Sequence, residues 1–319
     1  AWAEAEGVPV LAPGEGLAGR LPGGFDWLLS VANLDVLPPD VLARPRRGAV
    51  NFHDGPLPDY AGLNVPVWAL LNGEARHGIT WHLIGGGVDE GPVIAARRFA
   101  LDPGETAASL NAKCFAAALE SFPEVMGELD GEPRPHLQDL SRRRLFRRTD
   151  RPDAVLDPWR PAEEGARLVR ALDHGSHANP VGLARLDLGG AWAVVLGAAE
   201  APGAGAPGTV LEGGAAPLLA CATGALRLSL VDPLGRPLAL GQGTRLPAPL
   251  VPDPSAIREA ARAEGRHRAA LLDWRPAALP PLGGEPAGRP LAGPLPEGER
   301  GLALALLLPG DLGWGRPES

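Results

Sequence analysis

GAVNFHDGPLPDYAGLNVPVWALLNG (Gly48–Gly73), followed three residues later by HGITWHLIGGGVDEGPVIAARRFAL (His77–Leu101), decides the fold. GAVNFH reads as a short buried strand that breaks into DGPLP, where two prolines fix φ and end strand geometry. Val65 to Leu71 reads as a helix closed by Asn72-Gly73, and Gly78 to Ile84 and Pro92 to Leu101 as two further strands. Upstream, Phe25 to Asn33 reads as a buried strand, Leu37 to Leu42 as a helical turn, and Val8 to Leu11 as an apolar run after a helix ending at Gly7. Downstream, an amphipathic helix is expected from about Thr106 to Leu129, after Pro103-Gly104 and before Gly131. Strands alternating with helices predict an α/β domain over residues 1–131, built on a mainly parallel, Rossmann-like sheet with ligands at the C-terminal ends of its strands.

Beyond this domain, residues 132–150 read as a linker: EPRPH, then the basic run Arg142 to Arg148. Residues 151–245 hold one helix (Ala162 to Leu172) and several short strands separated by Gly and Pro turns, which suggests a small OB-like β-barrel. Residues 246–319 add a helix from Ser255 to Leu272. A Pro/Gly-rich tail follows, whose composition suits a linker toward a further domain. The chain opens without Met, inside a helix-like segment, and is read as part of a longer polypeptide with adjoining domains.

Composition narrows the function classes. Hydrophobic residues make up 45% and charged residues 21%, ordinary for a soluble globular chain, and no apolar run reaches the length of a membrane span. No secretory signal is visible and two cysteines make no disulfide framework, so the cytoplasm is the expected compartment, with no membrane partner. A formal net charge of −8 disfavours a nucleic-acid partner.

The chemistry-bearing residues lie in the opening stretch. Asn51 and His53 are two apart at a strand end and project to one face. Asp89 follows in a glycine-rich loop after the next strand. Asn51 can donate two hydrogen bonds, His53 titrates near neutrality, and Asp89 can orient the imidazole or take a proton. His82 reads as a scaffold or pocket-wall residue. Cys114 reads as core, and Arg142 to Arg148 as a solvated linker. His174 and His177 lack a third metal ligand, and Gly85 to Gly87 lacks dinucleotide-fingerprint spacing.

The order N-x-H-x-G-P-L-P-x-Y-x-G, W-A-L-L-N-G, H-G-I-T-W-H and V-D-x-G resembles the folate-dependent formyltransferase family, methionyl-tRNA formyltransferase-like, over residues 1 to 130. LVRALDHG, NPVGLARL and PGTV more loosely resemble the family's C-terminal barrel. The resemblance implies that the family's first strands precede residue 1. It makes Asn51, His53 and Asp89 the catalytic residues. It makes Leu57, Pro58, Tyr60, Gly62, Gly86, Gly87, Val88 and Gly91 the folate-binding ones, with 10-formyltetrahydrofolate as co-substrate and no metal. A substrate amine attacks the formyl carbon carried on N10. Asn51 and protonated His53 stabilise the oxyanion, and Asp89 holds His53 and helps move the amine proton toward N10. Gly91 is expected to let backbone approach the ligand, so that Gly91→Val weakens folate binding more than folding.

For the acceptor, residues 51 to 74 and 170 to 186 look most like the formylation domains of nonribosomal peptide synthetases, which act on an aminoacyl group held on a carrier protein. Alternatives are methionyl-tRNA, disfavoured by a net charge of −2 over residues 151 to 240, a formyltetrahydrofolate hydrolase-like domain, and a sugar nucleotide. A non-enzymatic alternative is a degenerate scaffold domain.

Overall fold

The computed structural model describes residues 2–11, 16–249 and 253–272. The chain divides into two compact units, residues 1–147 with 173–177, and residues 148–172 with 178–319.

In the first unit the elements run α1 (Trp2–Ala5), α2 (Leu17–Arg20), β1 (Trp27–Ser30), α3 (Pro39–Leu42), β2 (Gly48–His53), β3 (Ala61–Gly62), α4 (Val65–Leu71), β4 (Arg76–Leu83), β5 (Val93–Ala100) and α5 (Ala107–Asp130). A 3₁₀ turn (Leu140–Arg142) and β6 (Leu145–Phe146) follow. The main sheet has the order β1-β2-β4-β5. β1 and β2 pair in parallel, whereas β2–β4 and β4–β5 are antiparallel. The described sheet is therefore mixed, with one parallel pairing where a mainly parallel sheet was expected. The nine residues between β4 and β5 are too few for a helical crossover, so that pair can only turn back on itself.

Alternation along β2 separates a polar face from the core. Phe52 and its ladder partner Trp81 face one way. Their rings lie 5.2 Å apart, and Phe52 is 6.0 Å from Phe115 on α5. Trp81 is fully buried, and its indole N–H donates to Ser121 Oγ on α5 at 3.0 Å. Burying a large side chain of this kind contributes about 1.5–3 kcal/mol. α5 supplies the matching face, with Leu110, Cys114, Ala117, Ala118, Ser121, Val125 and Leu129 buried at helical spacing. Its start is set by a capping box between Thr106 and Ser109. Asn51 and His53 alternate with Phe52 along β2 and so lie on its opposite face.

Residues 136–146 are not a free connector. His136 exchanges backbone hydrogen bonds with Val93, and β6 pairs in parallel with β3. This segment belongs with the first unit through residue 147.

The second unit holds α6 (Ala162–Ala171), β7 (Arg185–Asp187), β8 (Trp192–Ala201), β9 (Val210–Glu212), β10 (Leu218–Ala220), β11 (Ala225–Val231) and α7 (Pro254–Leu272). Its five strands form an antiparallel sheet in the order β7-β8-β11-β10-β9, with β7 and β9 at the edges. No ladder joins the two edge strands among the described residues, so the expected barrel is seen as an antiparallel sheet without closure. Leu156, Leu186, Leu219, Leu226 and Leu228 form its buried core. The Pro/Gly-rich tail from Pro276 lies outside the described residues.

Candidate active site

The ends of β2 and β4, with the loops that leave them, bring together a chain of polar side chains. His53 is buried. Its Nε2 lies 2.6 Å from the Tyr60 carbonyl, which can only accept, so Nε2 carries a proton. Gly55 makes that bond possible. A Cβ there would sit 2.7 Å from Tyr60 O and 2.8 Å from His53 Nε2. On the other side of the ring, Nδ1 faces Asp89 Oδ2 at 3.6 Å and Asp54 Oδ1 at 3.8 Å.

Asp89 is the hub. Oδ2 accepts the Gly62 backbone N–H at 2.8 Å, and Oδ1 lies 3.4 Å from His82 Nε2. Burial alone would raise its carboxyl, but the His82 hydrogen bond, the His53 charge and the Gly62 N–H hold it from 3.8 down to about 2. The residue stays ionised at neutral pH. Its backbone has φ of 56°, a left-handed conformation that non-glycine residues rarely adopt. Burial lifts the neighbouring Asp54 carboxyl, the His53 charge opposing this and Asp89 adding to it.

Asn51 is half-buried and pairs across the ladder with His82. Its Nδ2 lies 3.3 Å from His82 Nε2, and His82 Nδ1 donates to Leu83 O at 2.9 Å. His82 thus stands between Asn51 and Asp89, a bridging role beyond the pocket wall read from sequence. The signal that could have revealed it is the Asn51–His82 register, which is non-local. Thr80 was also missed. It accepts the Leu57 N–H at 3.1 Å and donates to Gly55 O at 2.8 Å, fixing the loop after β2.

The two loops proposed for folate differ in character. Leu57, Pro58 and Tyr60 are buried, and the Leu57–Pro58 peptide is cis. Tyr60 donates its hydroxyl proton to Glu74 at 2.7 Å, stacks on Phe146 at 5.5 Å and carries the Arg144 guanidinium over its ring at 4.3 Å. Gly62 has φ of 95°, and a Cβ there would strike Phe146 O at 2.1 Å. These residues are engaged by the protein itself and form a floor. Gly86, Gly87 and Val88 are exposed, and a Cβ at Gly85 would meet nothing within 4 Å. Gly91 differs from the expectation. A Cβ there would lie 1.7 Å from Leu83 O, so the close approach it permits is to the chain's own backbone.

The remaining singled-out residues lie apart from this chemistry. Cys114 is buried, and burial pushes its thiol far up, away from nucleophilic use. Within the basic run, Arg142 pairs with Asp59 at 2.8 Å, Arg143 with Glu90 at 3.3 Å and Arg144 with Glu74 at 3.2 Å. Among the described residues, no group of three His, Cys, Asp or Glu is placed to hold a metal, and no helix is long and apolar enough to cross a membrane.

A family model described as formyl transferase matches residues 24–126. A methionyl-tRNA formyltransferase from Myxococcus xanthus is 34% identical over 240 residues, covering 72% of this chain and 74% of that protein. Its counterpart from Burkholderia multivorans is 34% identical, over 66% of this chain and 68% of its own length. Among solved structures, an N-formyltransferase from Helicobacter canadensis, determined with folinic acid and dTDP-3-aminofucose, superposes with a TM-score of 0.55 at 15% identity. That match covers 72% of this chain and 80% of that one. A HypX variant from Aquifex aeolicus superposes with a TM-score of 0.54 at 21% identity over 67% of this chain, which spans only 38% of HypX. At these identities the structural matches establish the fold.

Proposed function

We propose that this chain, which belongs to the folate-dependent formyltransferase family and is an enzyme of it, uses Asn51, His53 and Asp89 to pass the formyl group of 10-formyltetrahydrofolate to an aminoacyl group on a carrier protein. The carrying observation is the contact chain from Asn51 through His82 and Asp89 to His53, with steps of 3.3, 3.4 and 3.6 Å.

10-Formyltetrahydrofolate supplies, when bound, an electrophilic formyl carbon on N10. The residues present suit it. Exposed Gly86, Gly87 and Val88 offer backbone to a flat ring, beside buried polar groups able to donate to a carbonyl oxygen. With Nε2–H held by the Tyr60 carbonyl, the Asn51 amide and the Nδ1–H of a protonated His53 are the donors for the formyl oxygen as negative charge develops there. Each such donor contributes roughly 10²–10³-fold in rate. Asp89, ionised at neutral pH, holds the ring of His53 by its charge and relays the proton lost by the attacking amine to N10, the leaving group whose bond to the formyl carbon breaks as the new amide bond forms. Leu57, Pro58, Tyr60 and Gly62 hold the floor beneath these groups, and Gly91 sets the turn that carries Asp89.

For the acceptor, the sequence likeness to synthetase formylation domains supports the carrier protein. A tRNA is disfavoured because three arginines of the basic run are paired with carboxylates of the same unit. The curated relatives favour initiator methionyl-tRNA as the second reading. The test follows tetrahydrofolate release by the intact natural polypeptide with aminoacyl-carrier protein, initiator methionyl-tRNA and water. Fastest release with the carrier is expected. Faster release with tRNA, or release with water alone, overturns the acceptor. His53→Ala should cut kcat by roughly 10²–10³-fold with KM nearly unchanged, because its hydrogen bond strengthens in the transition state. Near wild-type turnover would remove His53 from the chemistry.

A further inference from the structure

The segment from His136 to Phe146 does more than follow α5. It lies along both loops that meet at His53. On one side His136 pairs with Val93, its N–H donating to Val93 O at 3.0 Å and its carbonyl accepting at 2.8 Å. On the other, Arg144 O accepts the Ala61 N–H at 2.9 Å and Phe146 O accepts the Leu63 N–H at 2.9 Å. Between these anchors, two side chains reach the carbonyls of the Asp89 turn. Gln138 Nε2 donates to Asp89 O at 2.9 Å and to Gly91 O at 2.6 Å, and Arg143 donates to Val88 O at 2.6 Å. Three carbonyls within four residues are captured by one segment.

We propose that Gln138 is a positioning residue for formyl transfer, its amide nitrogen clamping the carbonyls of Asp89 and Gly91 so that the Asp89 carboxylate stays aimed at His53 and His82. The inference rests on the reading of Asp89 as His53's partner. A left-handed backbone at a non-glycine residue is unfavourable and persists only where its surroundings impose it. Asp89 has that backbone, with φ of 56°. Within its own loop, the Gly87 N–H donates to Glu90 Oε2 at 3.1 Å and the Glu90 N–H lies 3.4 Å from Gly87 O, and neither bond engages the Asp89 carbonyl. A primary amide suits the task because one nitrogen carries two N–H groups and can serve two carbonyls together. A carboxylate at position 138 would instead oppose them. Gln138 Oε1 is buried with no partner, so the side chain is held by its nitrogen alone.

The test compares Gln138→Met and Gln138→Glu with wild type in the intact natural polypeptide. Readouts are kcat and KM with the best acceptor, thermal midpoint, and hydrogen exchange at the Gly62 amide, which is protected by Asp89 Oδ2. For Gln138→Met, kcat should fall roughly 10–100-fold, the range seen when outer partners of active groups are lost. KM should move less than about threefold, and Gly62 exchange should accelerate. For Gln138→Glu the deficit should narrow at low pH, where a protonated carboxyl regains one donor. A folded Gln138→Met with wild-type kcat and Gly62 exchange overturns the proposal. So does a kcat loss that only tracks a fall in thermal midpoint. Asp89→Asn run in parallel separates the two claims. If it retains activity, the reading of Asp89 fails. If it is inactive while the Gln138 variants turn over normally, only the clamp fails.

Discussion

Replacing Asp89 with Asn removes one charge at the point where the contact chain converges, and the structure sets the size of the effect. Asn stands in for the protonated carboxyl. Asp89 is held from 3.8 down to about 2, so its ionised form is favoured by about 2–3 kcal/mol over the neutral one, at ~1.4 kcal/mol per tenfold. Its side chain is 11% exposed, so solvent screening takes little from that figure. Asp89→Asn should therefore lower unfolding free energy by about 2–3 kcal/mol at pH 7. The folded carboxyl titrates below the unfolded one. The wild-type advantage is thus present above pH 4 and declines as pH falls toward 2, with about half remaining near pH 3. Catalysis should suffer more. Whichever way the Asn amide turns, one oxygen now accepts and the other position donates. If the oxygen keeps the Gly62 N–H, the NH₂ group faces His82 Nε2 and the hydrogen bond that His82 gives the carboxylate is lost. The ring of His53 loses its counter-charge in either case. We expect kcat to fall about 10²–10⁴-fold, the range for a lost acid–base group, with folate affinity nearly unchanged. Urea unfolding at pH 7 and pH 3, with steady-state kinetics at pH 7, measures both. A stability gap that widens on acidification, or turnover within threefold of wild type, would refute the reasoning.

Asn51→Asp should be slower than Asn51→Ala, because a carboxylate repels a developing oxyanion that the alanine merely fails to stabilise; equal kcat values in the two variants would remove the amide from the transition state. Gly91→Ala places a methyl 1.7 Å from Leu83 O and should destabilise the protein by about 3 kcal/mol. Urea midpoints check this, and folate affinity of the folded fraction should fall less than stability does.

Much of this architecture was legible where local signals were strong. β2 and α4 begin and end where their sequence patterns do, and α5 lies within one residue of its expected span because Thr106 and Gly131 mark its ends. β1 is shorter than expected, four residues against nine, since apolar composition does not show where pairing stops. β7, of three residues, and β3 and β6, of two each, carry no periodicity to read. Asn51, His53 and Asp89 were legible as residue types at recognisable spacing. The parts of the site that were not legible are those created by register and by the return of the chain. His82 meets Asn51 only because β2 and β4 pair antiparallel, and Gln138 reaches the Asp89 turn from a proline-rich stretch that resembles a linker. The paired basic run shows the same limit. Five arginines in seven residues read as a solvated linker until Asp59, Glu74 and Glu90 are placed beside Arg142, Arg144 and Arg143.

The alternation along β2 has a consequence for how this protein can change. Asn51 and His53 alternate with Phe52, so the strand works as a reading frame of period two. One residue gained or lost between Gly48 and Asn51 would turn the phenyl ring toward the reacting groups and drive an imidazole against Trp81 and Ser121. The proposed site and the core would be lost in the same event. Substitutions can tune this strand one side at a time, but an insertion or deletion cannot. Length variation in descendants of this chain should therefore gather in exposed stretches such as Gly85 to Val88 and leave the six residues of β2 untouched.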